Sequence, residues 1–222
     1  MNMSIREPKQ PTVFVVDDDR QMRESLTALL SALGFPVRTF ASGAEFRADY
    51  DRDTPGCLLL DIRMPEEDGL KTYERMICDG QRLPVIFITA HADVTTAVAA
   101  MKTGAIEFLE KPFDRLSLLE LVGKAIELDA QWRRRDDEFT SLNDRINRLN
   151  SRERETLALI LAGESNKIIA SHLFLSQRAV EMRRASIMRK LGVESLAELL
   201  DLALTHRILS EIRTAELHPQ LR

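Results

Sequence analysis

Five short apolar runs, separated by segments in which apolar residues recur with helical spacing, constrain the first half of this 222-residue chain most strongly. The runs occupy residues 13–16, 37–40, 57–60, 85–88 and 106–109. Continuous apolar runs of this length are typical of strands that are buried on both faces of a parallel sheet. Because strands that alternate with helices pair in parallel through right-handed crossovers, the pattern predicts an α/β fold.

Five such strands fit a flavodoxin-like doubly wound parallel sheet in the order 2-1-3-4-5, in which strands one and three are neighbours. Asp17 and Asp18 follow the first predicted strand, and Asp61 follows the third. Thr89 and Lys111 follow the fourth and the fifth. Because the carboxyl ends of parallel strands meet at one edge of the sheet, we expect these five side chains to converge there.

The three carboxylates at this edge should repel one another unless they share a cation. Mg²⁺ prefers oxygen ligands and leaves room for a phosphoryl oxygen, while the Lys111 ammonium and the Thr89 hydroxyl can bind the remaining phosphoryl oxygens. The sequence therefore predicts a Mg²⁺ site at Asp17, Asp18 and Asp61. The alternative is a solvated acidic patch with a lysine counter-ion, which would not require a specific residue at every strand end.

Composition and charge predict two domains of a cytoplasmic protein. No apolar stretch is long enough for a membrane span, and the first residues lack the apolar region of a signal peptide. Residues 1–150 carry a formal charge of −6 and residues 151–222 carry +2, which suggests that the two parts have different partners. Cys57 and Cys78 have no metal-binding spacing, and we expect both to pack in the core.

Four motifs resemble the receiver domain of bacterial response regulators over about residues 12–128: VVDDD, LLLDIRMPEEDG, ITA at 88–90 and KPF at 111–113. The resemblance implies that Asp61 accepts a phosphoryl group. It also implies that Asp17 and Asp18 form the acidic pocket, with Asp18 as a direct Mg²⁺ ligand and the backbone carbonyl of Arg63 as another.

The same resemblance assigns the remaining polar strand ends. It implies that Thr89 and Lys111 contact the phosphoryl group, that Phe108 is an aromatic switch residue working with Thr89, and that the peptide bond before Pro112 is cis. Phe108 can also be interpreted as plain strand core. Arg63 and His91 lie where family members tune the lifetime of the phosphoryl group, although for His91 an exposed loop histidine is an equal alternative.

A heptad pattern of apolar residues runs from Leu118 to Leu149, and no Pro or Gly lies between Lys124 and Ser151. The pattern predicts that the last receiver helix continues as one long connecting helix. Its apolar stripe fits either a dimerising or signal-transmitting rod, or an amphipathic helix that packs on its own domains. We therefore expect a receiver domain at 1–128, a helical connector at 129–150 and a second domain at 151–222.

The second domain is predicted to contain four helices, at 152–162, 166–173, 177–191 and 195–207. The turns between them are short enough for a helix-turn-helix unit. Its third helix carries five cations against Glu181 alone, which is expected of a helix that neutralises DNA phosphates in the major groove. The alternative is a solvated basic face. The five cations are Arg178, Arg183, Arg184, Arg189 and Lys190.

Residues 150–207 resemble the LuxR/NarL-type helix-turn-helix, and the whole chain resembles the FixJ-like subgroup of response regulators. Ala179 replaces the usual Thr and Arg183 replaces the usual His, which bears on the preferred DNA sequence. The resemblance implies DNA contacts at Arg178, Arg183 and Arg184, a backbone contact at Lys167, and base-facing positions at Glu181, Met182 and Ala185.

Together these resemblances imply a two-component response regulator rather than an enzyme. A partner histidine kinase would phosphorylate Asp61, and the phosphorylated protein would form a homodimer, bind promoter DNA and regulate transcription. RNA polymerase is a further candidate partner, and no membrane partner is expected. The alternative is a phosphorelay or protein-interaction module whose helical half binds protein instead of DNA.

Overall fold

The computed structural model describes residues 9–65, 67–90 and 106–217, with side chains through residue 214. Its first part contains a parallel sheet with the strand order β2-β1-β3-β4-β5, which confirms the predicted flavodoxin-like topology. All four strand pairings are parallel. The strands are Thr12–Val16 (β1), Val37–Phe40 (β2), Gly56–Asp61 (β3), Val85–Thr89 (β4) and Glu107–Glu110 (β5).

The central strands are apolar except at their ends, where Thr12, Asp61 and Thr89 lie, because strands covered on both faces of a sheet are buried. In β1, Phe14 and Val16 pack in the core layer on one face, while Val13 and Val15 pack in the layer on the other. Every residue of β1, β3 and β4 is buried. The apolar runs of the sequence therefore correspond to strands buried on both sides.

Three short helices of the first part have an N-cap residue whose side chain accepts a backbone hydrogen bond. Cys57 of β3 is buried, as expected, and burial raises the pKa of its thiol to about 12. The expectation that Cys78 packs in the core is wrong, because this side chain is exposed at the end of its helix. The helices are Arg20–Ser31 (α1), Gly43–Asp49 (α2) and Gly69–Cys78 (α3).

The predicted connecting helix is present as a single helix, Arg115–Asn147 (α4), and the chain divides into two compact units, Met1–Arg133 and Arg134–Arg222. Leu118 of α4 is buried in the core of the first unit, and Leu142 is buried in the core of the second. The apolar stripe is thus used within each unit. This packing supports the interpretation of α4 as an amphipathic helix that packs on its own domains.

The second unit contains the four predicted helices. Asn150 and Glu153 form a capping box at the first of them, and Gly192, in the left-handed conformation (φ 61°), ends the third. The fourth helix runs to residue 217 rather than 207, since no Gly or Pro occurs in the chain between these positions. The helices are Ser151–Leu161 (α5), Asn166–His172 (α6), Gln177–Leu191 (α7) and Leu196–Leu217 (α8).

Among the described residues, no helix combines the length and the apolar character that a membrane crossing requires.

Candidate functional site

Three carboxylates converge at the carboxyl edge of the sheet. Because Val16 of β1 lies opposite Leu60 of β3, the residues that follow these two positions are neighbours. One carboxylate oxygen from each of Asp17, Asp18 and Asp61 lies within 4.8 Å of the others. Asp17 and Asp61 are buried, whereas Asp18 is exposed. The strand ends therefore bring together the acidic residues that the sequence singled out.

Lys111 reaches this cluster from the end of β5. Its Nζ donates to Asp17 Oδ2 at 2.8 Å and to Asp61 Oδ1 at 3.0 Å. Its backbone N–H donates to the carbonyl of Thr89 at 2.7 Å, and the bond to Pro112 is cis, as the resemblance implies. One ammonium is thus shared by two buried carboxylates.

Burial and charge oppose each other in this cluster. Burial raises the pKa of Asp61, the hydrogen bond and the charge of Lys111 lower it, and the charges of Asp17 and Asp18 raise it further, so that the net shift is upward. Burial also lowers the pKa of the Lys111 ammonium, but its hydrogen bonds to Asp17 and Asp61 outweigh burial and raise it. The cluster therefore concentrates negative charge beside a stable ammonium.

The oxygen donors of this edge fit Mg²⁺, which is bound in proteins by one or two carboxylates together with waters and phosphate oxygens. Asp18 supplies a carboxylate that is open to solvent, while Asp17 and Asp61 supply buried ones. Asp18 and Arg63 also line one cleft of about 520 Å³. The residues that line this cleft are Asp18, 62–65, Asp68 and Leu70.

The loop after β1 is held by its own side chains. Asp17 Oδ1 accepts from the backbone N–H of Asp19 at 2.8 Å, and Asp19 in turn caps α1 by accepting from the N–H of Gln21. Arg23 Nη1 donates to the carbonyls of Asp17 at 2.7 Å and Asp18 at 3.0 Å. Arg23 was not predicted from the sequence, where its only signal is a cation near the start of the helix that follows the acidic loop.

Gly69 allows α3 to approach the backbone of Asp61. A Cβ at this position would lie 2.2 Å from the carbonyl oxygen of Asp61, and the Gly69 N–H donates to the carbonyl of Ile62 at 2.8 Å. Asp68, the preceding residue, caps α3 by accepting from two backbone N–H groups. This requirement for glycine could not be predicted from the sequence, because a close approach between two backbone segments leaves no local pattern.

The proposed switch residues lie on adjacent strands. Thr89 ends β4 and is fully buried, while Phe108 of β5 is half-buried opposite Phe87 and packs against one core layer. This packing agrees with an ordinary core role for Phe108, and its role as a switch stays a prediction. His91 lies outside the described residues.

The second unit presents an exposed face on α7. Positions 178, 181, 182 and 185 are spaced so that they share one side of the helix, and all four are exposed. Val180, Ile187 and Leu191 face the opposite way and are fully buried. Lys167 of α6 is also exposed. The exposed residues of α7 are Gln177, Arg178, Glu181, Met182, Ala185 and Arg189.

Two of the predicted DNA-contacting cations donate hydrogen bonds inside the unit. Arg183 Nη1 donates to Thr156 Oγ1 at 3.1 Å, and Arg184 Nη1 donates to Asn166 Oδ1 at 3.1 Å. Both side chains are half-buried. A guanidinium has five N–H donors, so each retains donors beyond the one used here.

Comparison with known proteins divides the chain into the same two parts. The family described as "Response regulator receiver domain" matches residues 13–123. The family described as "Bacterial regulatory proteins, luxR family" matches residues 147–203.

Similar proteins span most of the chain. The transcriptional regulatory protein FixJ of Azorhizobium caulinodans is 40% identical over 200 residues, which cover 89% of this chain and 93% of the relative. The response regulator protein TodT of Pseudomonas putida is 36% identical over 187 residues, which cover 84% and 82%. The solved structure of the response regulator StyR matches with a TM-score of 0.80 at 41% identity, covering 87% of this chain and 98% of that one. Full-length FixJ from B. japonicum matches with a TM-score of 0.54 at 35% identity, covering 90% and 98%.

Proposed function

The chain belongs to the two-component response regulators that join a receiver domain to a LuxR-type domain, and we propose that phosphorylation of Asp61 controls its binding to DNA. It is a two-component transcription regulator. The observation that carries the proposal is the convergence of three carboxylates and Lys111 at one edge of the sheet. A module whose helical half binds protein instead of DNA is not favoured, because that half matches a family of bacterial regulatory proteins.

The proposed chemistry is transfer of a phosphoryl group from a phosphohistidine of a partner kinase. A carboxylate oxygen of Asp61 forms a bond to phosphorus while the bond from phosphorus to the imidazole nitrogen breaks, and the imidazole keeps the electron pair. Lys111, which donates to Asp61 Oδ1, is close enough to bind a phosphoryl oxygen, and Thr89 supplies a hydroxyl. The ammonium neutralises negative charge on the transferred phosphoryl oxygens, and the hydroxyl donates a hydrogen bond to them.

The residues proposed to hold Mg²⁺ are the carboxylates of Asp17, Asp18 and Asp61 and the backbone carbonyl of Arg63. When bound, the ion neutralises negative charge on the phosphoryl group and allows it to approach the carboxylates. The buried Asp17 also accepts from Lys111, and this hydrogen bond holds the ammonium near Asp61 in the resting site. We propose that after transfer Thr89 bonds to the phosphoryl group and that the packing of Phe108 changes in response.

The exposed face of α7 is proposed to enter the major groove. Glu181, Met182 and Ala185 would face the base edges, while Arg178 and Lys167 would bind phosphates. Arg183 and Arg184 are proposed to contribute phosphate contacts through their remaining N–H donors. This arrangement is supported by the apolar burial of the opposite face of the helix.

A second copy of the chain is proposed to cover an apolar stripe on α8. Four large apolar residues recur there at four-residue intervals, and each is between 43 and 48% exposed. A two-fold dimer pairs the same patch on both copies and would present two recognition helices to a DNA site with two half-sites. The stripe consists of Leu196, Leu200, Leu204 and Ile208.

We further propose that the protein works in the bacterial cytoplasm, where its kinase and the chromosome are both accessible. Its only chemistry would be its own phosphorylation and dephosphorylation, so that it acts as a switch rather than as a metabolic enzyme. RNA polymerase is the proposed downstream partner at the promoter.

The phosphorylation step is tested with acetyl phosphate and Mg²⁺, by following the mass of the intact protein. We expect the wild type to gain one phosphoryl group, Asp61→Asn to gain none, and Asp18→Ala to gain none because its metal site is incomplete. A phosphoryl mass on Asp61→Asn under conditions that label the wild type would place the acceptor elsewhere.

A further inference from the structure

The last turns of α4 meet the C-terminal end of α7 through one arginine. Arg145 Nη2 donates to the carbonyl of Leu191, which is the last residue of α7, and lies 3.4 Å from the carbonyl oxygen of Gly192. These residues are separated by more than forty positions in the chain. The end of the helix that carries the exposed basic face is therefore bound by a side chain from the connecting helix.

A cation has a clear electrostatic reason to lie at this position. The last carbonyls of a helix lack intrahelical donors, and the C-terminal end of a helix carries partial negative charge. The N–H of Val193 donates to the Met188 carbonyl at 3.0 Å, and the N–H of Gly192 donates to the Arg189 carbonyl at 3.2 Å. The carbonyls of Leu191 and Gly192 lie beyond the two carbonyls that these N–H groups satisfy, and the Arg145 guanidinium is the donor that reaches them.

Packing fixes the segment that carries Arg145. Leu142 and Leu149 lie on either side of it in the sequence, and both are buried in the same core as Leu191 and Val193. Arg154 Nε of α5 donates to the Leu149 carbonyl at 3.1 Å and closes the end of this segment. The last turns of α4 and the end of α7 are thus joined by a hydrogen-bonded cation and by a shared core.

We propose that Arg145 is a positioning residue for DNA recognition. By holding the C-terminal end of α7, it fixes the axial position and rotation of the face that carries Glu181, Met182 and Ala185. Residues 134–147 of the connecting helix then belong functionally to the DNA-binding unit, rather than only linking it to the first unit. This inference rests on the proposed DNA-binding function.

The test uses the full-length protein, phosphorylated with acetyl phosphate and Mg²⁺, and compares Arg145→Ala and Arg145→Lys with the wild type. Arg148→Ala is the matched control, because it removes a cation from an exposed position three residues further along. Binding is measured by fluorescence anisotropy at several salt concentrations. The probes are a duplex selected from a random pool by the wild type and a scrambled duplex of the same length and composition.

We expect Arg145→Ala to lose about tenfold in affinity for the selected duplex and little for the scrambled one, with the salt dependence unchanged. Arg145→Lys should recover part of the loss, since it keeps the charge but not the planar pair of donors. Arg148→Ala should bind both duplexes as the wild type does. A loss of global stability alone would not change the ratio between the two duplexes.

Unchanged binding of Arg145→Ala to the selected duplex would overturn the proposal. So would an equal loss on both duplexes with a shallower salt dependence, since Arg145 would then be a phosphate contact. If the wild type binds no DNA, the proposed function fails. The contact between Arg145 and the end of α7 is then tested by amide hydrogen exchange. Faster exchange at residues 188–193 in Arg145→Ala, but not in Arg148→Ala, supports its role in holding the helix end, and unchanged exchange contradicts it. If Arg145→Ala does not fold, DNA binding and amide exchange are both measured on Arg145→Lys.

Discussion

Glu153 of α5 shows at the residue scale how one buried charge holds the second unit together. It is 4% exposed and accepts hydrogen bonds from Lys190 Nζ at 2.7 Å, Ser186 Oγ at 2.9 Å and the N–H of Asn150 at 2.9 Å. The hydrogen bond from Lys190, followed by that from Asn150, lowers the pKa of the carboxyl. Its contribution to stability is therefore present above the ordinary glutamate pKa and is lost as the pH falls through the lowered one.

We predict that Glu153→Gln lowers the free energy of unfolding of the second unit by about 1–3 kcal/mol at pH 7, because Lys190 loses its charged partner. The difference from the wild type should shrink as the pH falls from the ordinary glutamate pKa through the lowered one, because the wild-type carboxyl then becomes protonated. Urea unfolding followed by far-UV circular dichroism measures this. Trp132, the only tryptophan in the chain and part of the first unit, provides an internal fluorescence control.

Glu155→Gln is the matched variant, since Glu155 is an exposed glutamate on the same helix. It should leave the stability unchanged to within about 0.5 kcal/mol. A pH dependence of Glu153→Gln that parallels the wild type would contradict the assignment of this charge to acid stability.

The positions of individual site residues could be predicted from the sequence where those residues follow the end of a strand. Asp17, Asp61 and Lys111 meet because parallel strands align their carboxyl ends, and an alternating pattern of strands and helices is enough to infer that. Arg23 and Arg145 could not be found in this way, because the carbonyls they bind are ordinary backbone groups. Nothing in a side-chain pattern identifies such acceptors.

At the scale of elements, the junction of β3 and α3 depends on one glycine. We predict that Gly69→Ala destabilises the first unit by about 1–3 kcal/mol and slows labelling at Asp61, because the new Cβ would have to displace the Asp61 backbone. Gly123→Ala is the control: a Cβ at Gly123 meets no atom within 4 Å, and this substitution in a helix should stabilise by about 0.5–1 kcal/mol. Trp132 fluorescence in urea and the rate of mass labelling measure the two effects.

Equal labelling rates in the two glycine variants would contradict a requirement for glycine at the phosphorylation site.

The strands themselves were predicted to within about one residue, because apolar runs buried on both faces have sharp polar ends. The end of α8 and the exposure of Cys78 were not predicted correctly. The sequence has no Gly or Pro that would end α8 at residue 207, and the exposure of the outer face of a helix is set by tertiary packing rather than by local pattern.

At the scale of the whole molecule, α4 is shared between the two units. The exposed residues 134–138 separate the part of α4 that packs in the first unit from the part that packs in the second. A continuous helix turns by about 100° per residue. If this helix transmits the state of the receiver, the rotation between its two ends should matter more than its length.

We predict that deleting residues 134–137, which turns the downstream part by about 400° or roughly 40° net, preserves much of the phosphorylation-dependent DNA binding. Deleting 134–135 turns it by roughly 200° and should abolish most of this dependence. Labelling at Asp61 controls for an intact first unit. Equal DNA binding by the two deletions would indicate a flexible linker, because the entropic cost of bringing the ends of such a linker together changes little with its length.

The most direct measurement compares the affinity of wild type and Asp61→Asn for a selected duplex, with and without acetyl phosphate and Mg²⁺. If phosphorylation of Asp61 controls DNA binding, the wild type should bind about tenfold more tightly once labelled, in the usual range for coupling between two sites. Asp61→Asn should keep one affinity under both conditions. Equal affinities of labelled and unlabelled wild type, or the same gain in Asp61→Asn, would contradict the account.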